Sequence, residues 1–222
     1  MLIAIPYKNF PGPELRYCLR SIEKFIDEPE ILIIGDKPEW LQNVRHIPFQ
    51  DNKELQFKER NIFQKLLLIK EDFLFFNDDH FLLTHFDPSV YHYSGSLSGR
   101  IKSYLPANDV RKTVENTLKI FGDIDNYYRH GPIFCRYDII VKLKTLDWNK
   151  PWGYCIKSAH CFLADIKGTQ YSDLKIRQMC SFADIKKITE DREYFSTGDN
   201  AMGEGMKAFL EFTYPDKSRF EK

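Results

Sequence analysis

Neither sign of charge is in excess in this 222-residue chain: 32 Lys and Arg balance 32 Asp and Glu. Neither half is a basic module, so nonspecific binding to nucleic acid is not implied. Long apolar runs are missing too, and no stretch reaches the roughly 20 residues that a membrane-crossing helix needs. The opening MLIAIPYKNF has no charged leader and meets Pro6 too early for a signal peptide. Cysteine is sparse. Cys18, Cys135, Cys155, Cys161 and Cys180 are odd in number and form no C-x-x-C pair, which argues against a disulfide frame or zinc knuckle and suits reduced core thiols. A cytoplasmic protein without a transmembrane segment is expected. Repeats and low-complexity tracts are also lacking, and Gly203 and Gly205 lack the strand-then-helix setting of a phosphate loop.

What the chain does have is apolar and aromatic mass, 43% and 15% of its residues, enough for one substantial core. The most informative stretch is DFLFFNDDHFLL, residues 72–83. An apolar run delivers Asn77, Asp78, Asp79 and His80 and then resumes, which reads as a buried strand surfacing at its C-terminal end. Adjacent carboxylates there repel and resist burial. Either they are a solvated turn, or a divalent cation holding phosphate oxygens offsets their charge.

Upstream, Leu2 to Ile5 is a short strand, and Glu14 to Ile26 is a helix with Leu15, Leu19, Ile22 and Ile26 on one face. Glu30 to Ile34 is a second strand, stopped by Gly35-Asp36. Val44 to Pro48 reads as an edge strand, and Lys58 to Ile69 as a helix leading into the strand Phe73 to Phe76. Repeated strand-helix-strand units imply a parallel sheet, with ligands beyond the carboxyl ends of its strands. Beyond Leu83 the alternation weakens. Residues 84–106 read as a flexible loop, 110–121 and 138–145 as helices, 155–165 as helix or strand, 185–188 as a late strand, 193–199 as a loop and 201–212 as a helix before a charged tail. The expectation is α/β: a single Rossmann-like domain with a mostly parallel central sheet and a less regular C-terminal half.

IAIPYKN on the first strand, the acid of IIGD after the second, the Arg60-Asn61 pair opening a helix, and FLFFNDDHF as a D-x-D-like strand end together resemble a GT-A-type glycosyltransferase of the family 2 kind. The resemblance spans about Leu2 to Leu83. It implies a nucleotide-binding half, 1–83, and an acceptor-binding half, 84–222. Pro6 and Tyr7 would border the nucleoside, Asp36 would accept hydrogen bonds from base or ribose, Arg60 would help frame the base, and Asn61 and Asp78 would join them in binding the nucleotide. Asp79 matches the last acid of D-x-D, which binds the metal on the diphosphate. Asn77 stands where the first acid belongs, so either Asp78 would take over that role or the first position would act only by hydrogen bonding. The implied cofactors are Mn2+ or Mg2+ with a nucleoside diphosphate sugar, UDP-linked in expectation.

The third metal ligand would be His130, with His160 behind it; strand alternation turns His80 away from Asp79. Lys8 or Arg100 would assist on the phosphates. An inverting reaction needs a base near the acceptor hydroxyl, and Asp199, in STGDNAMGEG, is the candidate, ahead of Glu204; it could equally cap the following helix. Trp148, Trp152, Tyr154 and Tyr171 could stack on an acceptor or simply pack. The acceptor hydroxyl is left open among glycan, lipid-linked sugar, protein and modified nucleic-acid base. NDD, with His130-Gly131-Pro132, is also similar to Stealth-type sugar-phosphate transferases. A nucleotidyltransferase, or a degenerate sugar- or nucleotide-binding protein, completes the alternatives.

Overall fold

The computed structural model describes residues 1–9, 11–127, 130–172 and 174–222. In chain order the elements are β1 (Leu2–Tyr7), α1 (Glu14–Phe25), β2 (Glu30–Gly35), β3 (Arg45–Ile47), α2 (Lys58–Leu66), β4 (Phe73–Phe75), β5 (His80–Leu82), β6 (His92–Tyr93), α3 (Leu97–Lys102), α4 (Asp109–Phe121), β7 (Ile133–Cys135), α5 (Tyr137–Lys142), α6 (Ile156–Leu163), β8 (Thr169–Gln170), β9 (Lys175–Ile176), α7 (Phe182–Thr189), β10 (Tyr194–Thr197) and α8 (Glu204–Thr213).

The main sheet has the order β3-β2-β1-β4-β7 and is parallel except for β7. Its central strands are apolar throughout because both faces are covered. On one face Ile3, Ile5, Ile31 and Ile33 pack with α1 and α8; on the other Leu2, Ala4, Leu32 and Ile34 pack with α2 and α6. The two-residue period of β1 therefore feeds two separate cores.

A second sheet, β5-β10-β9, joins the first at a single turn. The chain leaves the main sheet at Phe75 and enters the second at His80, where β5 pairs antiparallel with β10. The two halves of the sequence interlock, since β7 is an edge of the main sheet while β5 pairs with β10. Among the described residues no helix is long and apolar enough to cross a membrane.

Several segments differ from the sequence reading. Residues 185–188, expected as a strand, lie inside α7, where the Ser181 hydroxyl accepts from Asp184 N–H at 3.2 Å and Ile185 and Thr189 share the buried face. A cap and a four-residue spacing outweigh the β-branched composition. Residues 194–197, expected in a loop, form the fully buried β10 between two partners. The stretch 84–106 holds β6 and α3. The charged tail is docked: Phe220 and Glu221 are buried, and Glu221 receives Arg20 at 2.7 Å and Arg16 at 3.1 Å.

Candidate active site

Asp78 and Asp79 occupy the two central positions of a β-turn closed by His80 N–H to Asn77 O at 3.2 Å. Acids suit such positions, being short and tolerant of turn backbone. The turn is pinned from outside: Cys18 Sγ donates to Asn77 O at 3.5 Å and Thr197 N–H to Asp79 O at 3.2 Å. Strand alternation does not carry across it. His80 Nδ1 accepts from Asn77 N–H at 3.3 Å, and Nε2 comes within 3.8 Å of Asp79 Oδ1, so the ring is folded back beneath the acids, contrary to the expectation that it points away.

The turn floors a cavity of about 570 Å³ at the carboxyl edge of the main sheet. Burial, and then the charge of Asp79, push the Asp78 carboxyl up to about 7. Glu14, the first residue of α1, lines the same cavity; burial raises its carboxyl first, with the charges of Asp79 and Asp199 adding to it. The Cys18 thiol is held well above its usual range by burial and by both acids, which excludes a thiolate there.

Cations face these acids. Lys175 Nζ, on β9, lies 3.0 Å from Asp79 Oδ2 and 3.5 Å from His130 Nδ1. Lys157, on α6, is buried, donates to Gly131 O at 2.6 Å and lines the cavity. Burial first, then Lys175, Lys157, Arg177 and Arg100, push the His130 imidazole down to about 2, so it is neutral. At the other end, Lys65 Nζ is buried against Asp51 Oδ1 at 2.9 Å and Tyr7 O at 3.4 Å.

The cavity brings together Pro6, Asn61, Asp78, Asp79, His130 and Asp199, with Lys8 beside them. Asn61 exchanges amide hydrogen bonds with the Asn52 backbone at 2.9 and 3.1 Å. It does not gather Tyr7, Asp36 or Arg60. The Tyr7 side chain is buried in the core. Asp36 is exposed and accepts from Asn9 N–H at 2.8 Å. Arg60 stacks over Phe57 at 5.4 Å, on the side of α2 opposite Lys58, Asn61, Ile62 and Lys65, as 100° per residue requires.

Other candidates fall elsewhere. His160 is fully buried, accepts from Arg136 N–H at 2.9 Å and is pushed down to about 4, chiefly by burial. Arg100 stacks over Tyr104 and reaches the cavity only through its field on His130. Glu204 opens α8 outside the cavity lining. Trp148 stacks on Phe63 at 3.9 Å, and Tyr154 is core; Tyr171 stacks on His92 at 4.7 Å; Trp152 is half-buried beneath Lys112. Glu14, Asp51, Lys65, Lys157 and Lys175 were missed by sequence reasoning. A helix-opening acid just after the first strand's loop was a signal for Glu14; nothing local marks the lysines.

Without a bound diphosphate to donate oxygens, a resident divalent ion at Asp78 and Asp79 would need a further protein donor. Among the described residues no group of three His, Cys, Asp or Glu side chains converges as a metal site. The space between Asp79 and His130 is taken by the Lys175 ammonium, which has no lone pair to offer. The expected ligand set Asp79, Asp78 and His130 therefore does not assemble, and these residues do not fit a resident divalent ion.

No family model matches the sequence, and no curated protein matches it. The fold does have solved counterparts. A galactosyltransferase, LgtC, in complex with donor and acceptor sugar analogues, superposes over 96% of this chain and 95% of its own, with a TM-score of 0.53 and 13% identity. A glycosyltransferase involved in glycosylation of the major capsid of PBCV-1 gives 0.40 and 13% over 97% and 98% of the two chains. GlyE, a glycosyltransferase of Streptococcus pneumoniae TIGR4, gives 0.39 and 11% over 97% of this chain and 60% of its own. This chain has the fold of a GT-A-type glycosyltransferase: one α/β domain on a mostly parallel sheet.

Proposed function

We propose that this chain is a glycosyltransferase, moving a sugar from a nucleoside diphosphate sugar, UDP-linked as the first to test, to an acceptor hydroxyl. The observation that carries the reading is the position of Asp78 and Asp79 on the floor of the large cavity at the carboxyl edge of a GT-A-type sheet. That cavity runs from Asp51, after β3, past Pro6 on β1 to Asp78, after β4. Three strand spacings make roughly 14 Å, the scale of a nucleoside with two phosphates. Asp199 lies at the far end, on the β10 side.

The chemistry develops positive charge at the anomeric carbon and negative charge on the departing phosphate. Lys8, Lys157 and Lys175 line the wall where the diphosphate would lie, and their fixed charge favours the anion. Asp199 is the proposed base: exposed, on the cavity rim after β10, it would take the acceptor proton in an inverting reaction.

One observation favours a second reading. His130, of the His130-Gly131-Pro132 segment, lies in the cavity beside Lys175 and Asp79. This brings together the two segments that resemble Stealth-type transferases, which move a sugar phosphate. The deciding experiment incubates the protein with UDP-sugars and follows the nucleotide product by chromatography. UDP supports glycosyl transfer, and UMP supports sugar-phosphate transfer. Asp79→Ala should abolish either product while leaving the melting transition cooperative, and full turnover by that variant overturns the site.

A further inference from the structure

We propose that the Lys175 ammonium, seated on Asp79, does at the donor diphosphate what a divalent ion would do, so that transfer proceeds without metal. The inference rests on the glycosyl-transfer reading above. Its first support is placement. Lys175 on β9 is paired with Ser196 of β10, and Ser196 with His80 of β5. The row His80–Ser196–Lys175 thus crosses the second sheet and brings Nζ to the acid turn. Backbone bonds on either side, Ser196 N–H to Leu174 O at 3.0 Å and Gly198 N–H to Ile176 O at 2.8 Å, hold the strand that carries it. An ammonium fixed this way needs no reorganisation as charge develops.

The second support is charge. Lys175 sits 3.0 Å from Asp79 and 3.5 Å from His130, bridging two of the three groups a metal would require. His130 also feels Lys157, Arg177 and Arg100. At His130 these cations disfavour a dication and favour a diphosphate. The acids alone would repel the donor, and Lys8, Lys157 and Lys175 offset part of that repulsion.

In the step itself, the bond between the anomeric carbon and the diphosphate oxygen breaks, and its electron pair stays on that oxygen. Lys175 donates a hydrogen bond to the new oxyanion and keeps its proton. The acceptor oxygen forms the new bond to carbon, and the acceptor proton passes to Asp199. Nothing is oxidised or reduced, and the nucleoside diphosphate leaves as the second product.

The test is calorimetric titration of chelator-treated protein with UDP, GDP, CDP and ADP, each in EDTA and in Mn2+. We expect at least one diphosphate to bind equally, within about twofold, in both conditions. Lys175→Met should weaken that nucleotide about tenfold to a hundredfold, the value of a charge-assisted hydrogen bond, and leave the parent nucleoside unchanged. Lys175→Arg should retain most of the affinity, and thermal melts of both variants separate a lost contact from a lost fold. Wild-type binding that appears only with Mn2+ overturns the proposal and leaves glycosyl transfer standing. A folded Lys175→Met protein that binds the diphosphate like wild type does the same. Binding of none of the four, with or without Mn2+, overturns the glycosyl-transfer reading itself.

Discussion

Replacing Asp78 with Asn should stabilise the protein at neutral pH and not at acid pH. The Asp78 carboxyl is raised from 3.8 to about 7, first by burial and then by Asp79. Because the folded value lies above the unfolded one, the stability linked to this group is fully present below about pH 4. It is lost as the pH rises through about 7, where the folded protein must also ionise. At roughly 1.36 kcal/mol per pH unit the interval corresponds to about 4 kcal/mol. Part of Asp78 remains open to the cavity, and screening reduces the usable figure to about 2 kcal/mol. Asn keeps the shape of the side chain and removes the charge. In urea titrations at pH 4 and pH 8, Asp78→Asn should match wild type at the lower pH and exceed it by about 2 kcal/mol at the higher. For a chain of this size that is a melting shift of about 4–8 °C. An equal gain at both pH values, or none at either, refutes the argument that Asp78 is held against its charge. The expected loss of transfer in the same variant would place this cost at the functional site.

Other perturbations separate site from scaffold. Asp199→Asn should lower turnover about 100-fold to 10,000-fold if it is the base; if Glu14→Gln shows that loss instead, in the same product assay, the base sits on α1. Glu221→Ala leaves Arg20 and Arg16 facing a buried hole and should cost about 3 kcal/mol in urea titration. Burial opposes the Glu221 charge, but the hydrogen bonds from Arg20, Ser218 N–H and Arg16 keep the group below its usual value, so its contribution fades as the pH falls below 4.5. Gly131→Ala places a Cβ 2.3 Å from the Tyr194 ring; it should lower stability by about 1–3 kcal/mol and weaken nucleotide binding by displacing His130, both readable from one thermal-shift series.

The four parallel strands of the main sheet were legible in the sequence because their signals are local, whereas the antiparallel edge β7 was not read. ILII, after Glu30, and FLFF are continuous apolar runs, which only strands covered on both faces require, and α1 repeats its leucines at helical spacing. The second sheet was not legible, because β9 and β10 are two and four residues long and are fixed only by pairing, β10 with β5 and β9 with β10. A two-residue strand has no periodicity to read.

The same division runs through the site. Asp78 and Asp79 announce themselves, since paired carboxylates interrupting an apolar run conflict with their surroundings. The sequence alone thus determined the parallel strands of the sheet, their carboxyl edge and the acid turn at the end of β4. Only the tertiary structure decided what faces that turn. It set Lys175, 96 residues away, on Asp79, kept Asp36 and Arg60 out of the cavity, and brought His130 in. A charge acts through space over a few ångströms, and which charges come that close is fixed by long-range strand pairing.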